Sequence, residues 1–306
     1  MRSGLTSDPS AEGDLIRRFD PWRGRLCTCP PKYSLSPYSG CGHSCAYCYI
    51  TSYIPKAFEP RAKTRVIDRV RRDILVIDRR LPILLSASSD PYTPMEQSLG
   101  ITGQVLQMLA DANARFMIQT KSDLVLRDAD LISQSFASVG ITVTAPDELA
   151  AKLEPNAPST SRRMEALGKL SEAGIPTAAR LDPIIPGVNE GAVPQLVEAL
   201  ARNGVKHVIA STYKARPDSL VRLRKVFPEL ADRIGRMYKQ EGVRVSNCYY
   251  LDGAVRRDML TRVKTLVLRS GMTFATCREG FDDLRTSPSC DGTHLIPRVR
   301  TLHETR

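Results

Sequence analysis

The chain has 306 residues, with 44 Lys and Arg against 33 Asp and Glu for a formal charge of +11, and it is 42% hydrophobic and 25% charged. That composition is that of a globular protein with enough chain to bury a full core, and it excludes disorder, collagen and coiled coil. No window reaches the roughly 18 consecutive apolar residues of a bilayer span. The first fifteen residues carry Asp8, Glu12 and Asp14 where a secretory signal would be apolar, so the expectation is a cytoplasmic protein with no membrane partner.

A first strand is expected at Lys32 to Tyr38, leading into a cysteine-rich loop. Val66, Val70, Ile74 and Ile77 recur at helical spacing and predict a helix over Val66 to Arg80. Strand Ile83 to Ala87 then runs into the polar turn Ser88-Ser89-Asp90-Pro91 and a helix from Leu99 to Ala112. The unit repeats: strand Arg115 to Thr120 with helix Arg127 to Ser138, strand Ile141 to Ala145 with helix Ser159 to Ala173, strand Thr177 to Ile184 with helix Val193 to Asn203, and a last strand His207 to Ser211. Ser159 stands where an N-cap would, and Gly174 and Gly204 stand where left-handed C-caps would. Beyond residue 216 the pattern gives helices near Ser219 to Lys225, Glu229 to Gln240 and Ala254 to Ser270, then a short run Thr273 to Cys277.

Alternation of this kind makes a parallel sheet wrapped by helices. The fold expected is α/β, a partial (β/α)6 barrel over residues 32–215, with an N-terminal segment 1–31 and a mostly helical C-terminal extension 216–306. In βα barrels chemistry gathers at the C-terminal ends of the strands, so the residues just after each strand carry the most information.

Eight cysteines lie at 27, 29, 41, 45, 48, 248, 277 and 290. In a reducing compartment clustered thiols point to metal binding or chemistry rather than disulfides. Cys41, Cys45 and Cys48, in C-x3-C-x2-C spacing, can converge on one face of a compact loop and ligate three irons of a 4Fe-4S cluster, leaving the fourth iron open. A structural zinc completed by His43 or a distant cysteine is the alternative, as in a zinc-stabilised nucleic-acid-binding module, and a non-catalytic iron-sulfur protein is another.

The loop resembles that of the radical S-adenosylmethionine (SAM) enzymes, whose C-x3-C-x-aromatic-C signature is matched by Cys41, Cys45, Tyr47 and Cys48. The resemblance implies a 4Fe-4S cluster whose open iron chelates S-adenosylmethionine, an electron donor that reduces it, and cleavage of the cofactor to a 5′-deoxyadenosyl radical that abstracts hydrogen from a substrate. It also implies cofactor contacts. Tyr47 would lie near the adenine through its backbone and Ser88 and Asp90 beside the cofactor ammonium. Lys121, after the third strand, could pair with the cofactor carboxylate. Thr144 would face inward from the fourth strand, and Ile185 lies in a loop, 182–190, that would run along the adenine. His43 could donate to a cluster sulfur.

The closer resemblance is to the spore photoproduct lyase-like branch, over about residues 29–215. It rests on Pro37-Tyr38 with Gly40-Cys41, Cys48-Tyr49, the serine-rich turn with Asp90, Thr120-Lys121, and Leu153-Glu154-Pro155 followed by Arg163. One departure is that the position of that lyase's hydrogen-donating cysteine is occupied here by Ala87, and no thiol lies between Cys48 and Cys248. The branch, together with nine basic residues from Arg256 to Arg300, makes nucleic acid the first substrate class expected, with a peptide or protein side chain second. Cys29, Cys248, Cys277 and Cys290 lie outside the six βα units. Three readings stand for them: a second metal site, a single donor thiol, and plain structural cysteines.

Overall fold

Seven parallel strands, one more than the βα period predicts, build the central sheet. The structure, a computed structural model, describes residues 12–19 and 24–297; Asp8, Arg298 and Arg300 lie outside them. β1 (Arg17–Arg18) pairs antiparallel with β2 (Tyr33–Leu35). The chain then leaves the sheet: β3 (Tyr38–Ser39) pairs instead with β4 (Arg61–Ala62). Pro37, which lacks an N–H and fixes its own backbone angle, ends the expected strand early.

α1 (Val66–Asp73) stops well short of Arg80. The Asp73 carboxylate accepts the amides of Asp14 (2.9 Å), Leu15 (2.6 Å) and Ile16 (2.8 Å), anchoring the segment that carries β1. β5 (Ile83–Leu85) follows, then α2 (Glu96–Leu99) and α3 (Ile101–Asp111), split at Gly100, whose φ of +61° suits glycine. After β6 (Phe116–Thr120) come a 3-10 turn, α4 (Ala129–Ser133) and β7 (Ala137–Thr142). The expected helix to Ser138 therefore ends early, because Ala137 and Ser138 pair with Phe116 and Met117. α5 (Asp147–Leu153) is a helix the periodicity did not predict, while α6 (Thr160–Glu172), β8 (Thr177–Ile184), α7 (Val193–Arg202) and β9 (His207–Thr212) agree closely with it. The Ser159 hydroxyl caps α6, and Gly174 and Gly204 take φ of +74° and +75°.

The C-terminal third holds α8 (Pro217–Val226), α9 (Ala231–Lys239), the hairpin β10 (Val243–Val245) with β11 (Cys248–Tyr250), α10 (Gly253–Arg269) and β12 (Thr273–Thr276). β12 pairs parallel with β9, Thr273 against His207 through Thr276 against Ala210. The sheet order is β1-β2-β5-β6-β7-β8-β9-β12, so it draws strands from all three of the segments read in the sequence.

Burial on both faces explains the near-continuous apolar character of β6, β7 and β9. Phe116, Ile118, Val139, Ile141, Ala179, Val208 and Phe274 face the helices in the main core. The other face carries Met117, Ala178 and Ile209, covered by Ile296 from the C-terminal segment. Among the described residues no helix is long and apolar enough to cross a membrane.

Because Phe274 is fully buried in the main core, Phe274→Ala should cost about 3–5 kcal/mol of unfolding free energy in urea. A loss under about 1 kcal/mol would show that β12 docks on the sheet instead of belonging to its core.

Candidate metal and cofactor site

The loop after β2 is built to hold its three thiols in one place. Gly40 has φ +76°, and a Cβ there would meet the Ala57 carbonyl oxygen at 2.8 Å. The same carbonyl accepts the Cys41 amide at 2.8 Å, while Ala46 N–H donates to the Leu153 carbonyl at 2.8 Å and Cys48 N–H to the Cys45 carbonyl at 3.1 Å. From α8, the Arg222 guanidinium donates to the carbonyls of Ala46 (3.2 Å) and Cys48 (2.6 Å) and to the Thr51 hydroxyl (2.9 Å). Asp218, one turn back, holds that guanidinium at 2.9 Å.

The thiols fit a cluster. Backbone amides of His43 and Asp90 point at the Cys41 sulfur, and that of Ile50 at the Cys48 sulfur. Amide donors of this kind stabilise thiolate sulfur and tune iron-sulfur centres. Burial pushes the Cys41 thiol up to about 12, and raises Cys45 and Cys48 as well, so ionising them calls for a cation. Among the described residues no three His, Cys, Asp or Glu side chains are gathered at the spacing of a single ion.

Contacts from the loop reach the ends of β5, β6 and β7. Asp90, in the turn after β5, is buried and fully engaged: it accepts the Tyr92 amide (2.9 Å), the Thr120 hydroxyl (2.6 Å) and the Lys121 amide (2.8 Å), and stands 3.2 Å from His43 Nε2. Burial alone would raise its pKa, but the His43 ring and these donors bring it down to about 2. Asp90 thus ties strand ends to the cysteine loop. The other ring nitrogen of His43, Nδ1, lies 3.3 Å from the Asn156 carbonyl.

Glu154, just past α5, is the centre of the rim. It is fully buried, pairs with Arg163 at 2.5 Å, and accepts the Tyr47 hydroxyl and the Thr144 hydroxyl (2.9 Å). Arg163 also donates to the carbonyls of Pro158 (2.8 Å) and Thr142 (3.1 Å). Burial would raise Glu154, yet the charges of Arg163 and Lys121 hold it below the ordinary carboxylate range. Lys121 stands over the Tyr47 ring, 5.6 Å from its centre, and among the described residues it forms no ion pair of its own.

The turn after β5 fits a polar ligand, because the hydroxyls of Ser86 and Ser89 are buried there without a hydrogen-bond partner, an arrangement that costs free energy unless something supplies one. Ser88 is half-buried beside them and within hydrogen-bonding reach of Tyr53. Ile185 is fully buried in a second core with Tyr213 and Ala215, with Tyr47 packed against it; its amide donates to the Asn189 side chain at 2.6 Å.

The structure therefore brings Tyr47, Asp90, Lys121 and Thr144 into one network, with Ser88 on the adjoining turn. Sequence reasoning missed Arg222, which lies in a segment read only as a helical extension, and assigned no role to Glu154 and Arg163, although both were quoted as family features. Cys29 and Cys290 do meet, Sγ to Sγ at 3.6 Å. Cys248 is elsewhere, buried on the β11 strand with Tyr213, Tyr250 and Arg278 as its electrostatic neighbours, and Cys27 takes the place expected for it beside Cys29.

A mostly parallel sheet with a three-thiol loop and a buried polar rim at its C-terminal edge defines an α/β protein of cofactor-dependent design. Residues 35–200, more than half the chain, match the model of the radical SAM superfamily, and the chain belongs to that superfamily. It is 35% identical over 159 residues to an uncharacterized protein of Methanocaldococcus jannaschii, a match covering 51% of this chain and 61% of that one. A relative in Acidianus two-tailed virus is 28% identical over 244 residues, covering 70% of this chain and 79% of its own, and one in Mycobacterium tuberculosis is 24% identical over 296 residues, covering 89% and 82%. Among solved structures, a spore photoproduct lyase variant superposes with a TM-score of 0.61 at 16% identity, over 88% of this chain and 77% of that one. Another, with bound AdoMet and dinucleoside spore photoproduct, gives 0.59 at 17% identity over 78% and 72%. At such identities the likeness is one of fold.

Since removing one partner of a buried pair leaves the other charge uncompensated, Glu154→Gln should cost about 3–5 kcal/mol in chemical unfolding. Adding Arg163→Met to that variant should recover part of the loss; a double variant no more stable than the single one would mean that the pair is not what holds the rim.

Proposed function

We propose that the chain is a radical SAM enzyme that holds a 4Fe-4S cluster on Cys41, Cys45 and Cys48, binds S-adenosylmethionine along the rim, takes an electron from an external donor in a reducing compartment such as the cytoplasm, and abstracts hydrogen from a substrate. The observation that carries this reading is the position of the three thiols, on one backbone-braced loop beside a buried, charge-balanced rim at the strand ends. When bound, the cluster and cofactor supply one-electron cleavage of the sulfonium bond and the hydrogen abstraction that follows.

The chain's own residues bind, orient and exclude water. Arg222 and the Ala57 and Leu153 carbonyls hold the loop's shape, and Asp90 fastens it to the ends of β5 and β6. Lys121 offers an ammonium to the cofactor carboxylate, and the hydroxyls of Ser86, Ser88 and Ser89 accept from the cofactor ammonium. Tyr47 and Ile185 give an apolar wall for the adenine, and Thr144 faces it from the end of β7.

For the substrate, nucleic acid is the first class to test, because a spore photoproduct lyase structure of this fold binds a dinucleoside photoproduct. The basic C-terminal third supports this less than its charge suggests. Arg256 pairs with buried Glu279 at 2.8 Å, Arg257 with Asp283 at 2.6 Å, Arg262 with Asp258 at 3.0 Å and Arg285 with Asp282 at 3.2 Å. Cations already neutralised release fewer counterions from a phosphate backbone, which favours a peptide or protein side chain as the second class.

After anaerobic reconstitution with iron and sulfide, dithionite and S-adenosylmethionine should yield 5′-deoxyadenosine, and replacement of Cys41, Cys45 or Cys48 by Ala should abolish it. Retained cleavage in all three variants would overturn the reading. Lys121→Ala, with cluster absorbance intact, should weaken S-adenosylmethionine binding by about 1–3 kcal/mol; unchanged affinity would mean that the cofactor carboxylate lies elsewhere. A panel of DNA, tRNA and peptides, followed by mass change, selects the substrate class.

A further inference from the structure

The segment before β2 and the segment after β12 meet at the two edges of the open sheet. Gly280 N–H donates to the Leu26 carbonyl at 3.2 Å, an approach that requires glycine: its φ is +78°, and a Cβ would lie 2.9 Å from a Leu26 methyl carbon. Cys277 N–H donates to the Ala210 carbonyl at 3.0 Å, and the Cys290 carbonyl lies 3.5 Å from His207 Nε2. Four thiols from distant parts of the chain are thereby brought to one seam. Cys29 and Cys290 are 3.6 Å apart, Cys27 is hydrogen-bonded to Cys29, and Cys277 is near enough to Cys27 and Cys290 for their charges to interact.

From this geometry we infer that Cys27, Cys29, Cys277 and Cys290 form a tetrahedral thiolate site for one zinc ion, separate from the loop of Cys41, Cys45 and Cys48 and independent of the function proposed for it. With zinc–sulfur bonds of about 2.3 Å, sulfurs on a tetrahedron stand roughly 3.8 Å apart. The Cys29–Cys290 pair already has nearly that separation, whereas thiolates on separate irons of a cluster stand further apart. Three thiols have not yet gathered at single-ion spacing, so the ion would draw the other two inward; Cys27 is half-exposed beside a turn at residues 25–26 and can follow.

The surroundings suit the charge of such a site. Zinc with four thiolates carries a net double negative charge, and buried cations face it from both sides. Lys32, ion-paired to Asp291, acts on Cys29 and Cys290. Arg180 is hydrogen-bonded to Cys277, and Lys214 and Arg278 add their fields there. Cys29 lies between Cys27 and Cys290 and is in hydrogen-bonding contact with both. On binding, the thiol protons leave to solvent.

The test uses the full chain with Cys41, Cys45 and Cys48 all replaced by Ala, so that the loop contributes no metal. Elemental analysis should give about one zinc per chain, and cobalt(II) loaded in its place should show the near-ultraviolet sulfur-to-metal band and strong visible bands of a tetrahedral thiolate site. Cys29→Ser and Cys290→Ser should each lose both signals, and Cys248→Ser should keep them. If the serine variants do not fold, thiol titration of the parent decides instead: zinc should protect four thiols, and a chelator should expose them. A chain without zinc, cobalt bound without the sulfur-to-metal band, iron and sulfide in place of zinc, or signals unchanged in Cys29→Ser would each overturn the site.

Discussion

A carboxylate with no access to water must be met by charge and hydrogen bonds, and Glu154 meets that demand at the point where the chain's layers converge. Its partners come from four places: Tyr47 from the cysteine loop, Thr144 from the end of β7, Arg163 from α6, and the field of Lys121 from the end of β6. Each contact is individually modest. Together they fix the loop relative to the sheet, because displacing any one element would take from the buried carboxylate either a hydrogen-bond donor or a compensating charge. Leu153, the neighbouring residue, accepts the Ala46 amide, so the loop backbone and its tyrosine are tied to the same turn of chain.

Asp90 repeats this logic on the other flank of the loop. Its carboxylate accepts from Tyr92, Thr120 and Lys121 with the His43 ring 3.2 Å away, which makes it a fastener of strand ends. The hydroxyls left without partners are those of Ser86 and Ser89, in the same turn. At this turn the carboxylate supplies shape, and the two serine hydroxyls are the polar groups left open.

What was legible in the sequence was what short-range physics encodes. The C-x3-C-x2-C loop, the alternation of strands and helices, the Ser159 cap and the left-handed glycines at 174 and 204 all express themselves within a few residues, and the structure has each of them. Helix ends were less readable. α1 stops at Asp73, whose carboxylate is taken by amides nearly sixty residues away, and no local pattern announces such a bond. The seventh parallel strand, Thr273–Thr276, is only four residues long and follows a run of helices, so its partner β9 could not be inferred from periodicity. Arg222 reads as one more basic residue on a helix, and only tertiary placement turns it toward the carbonyls of Ala46 and Cys48. That thiols from the two ends of the chain could meet was readable from the topology of an open barrel, but that Cys27 stands beside Cys29 and Cys290 while Cys248 does not was not, since it depends on where the β10–β11 hairpin folds.

The same open topology decides how the sheet's edges and inner face are covered. An unclosed sheet exposes two edges, which proteins shorten, charge or cover. Here one edge ends in the two-residue β1 with Arg17 and Arg18, and the seam beside the other is covered by the tail, through the Lys32–Asp291 pair and the Leu26–Gly280 contact. The tail then continues beneath the sheet's inner face. A Cβ on Gly292 would lie 3.1 Å from a Met117 methyl and 3.2 Å from the Ala178 side chain, and Ile296 packs on Met117, Ala178 and Ile209. With that end filled by apolar side chains, the polar interior above it is left to face the strand C-termini: Arg180 paired with Asp182 at 2.6 Å, and Asp182 accepting from Ser211 at 2.5 Å. Burial would neutralise Asp182, but Arg180 and Lys214 hold it ionised, with a pKa of about 2. Apolar filling at one end and balanced charge at the other thus divide the inner face of the sheet, with its polar half turned to the strand C-termini, the side on which the cysteine loop sits.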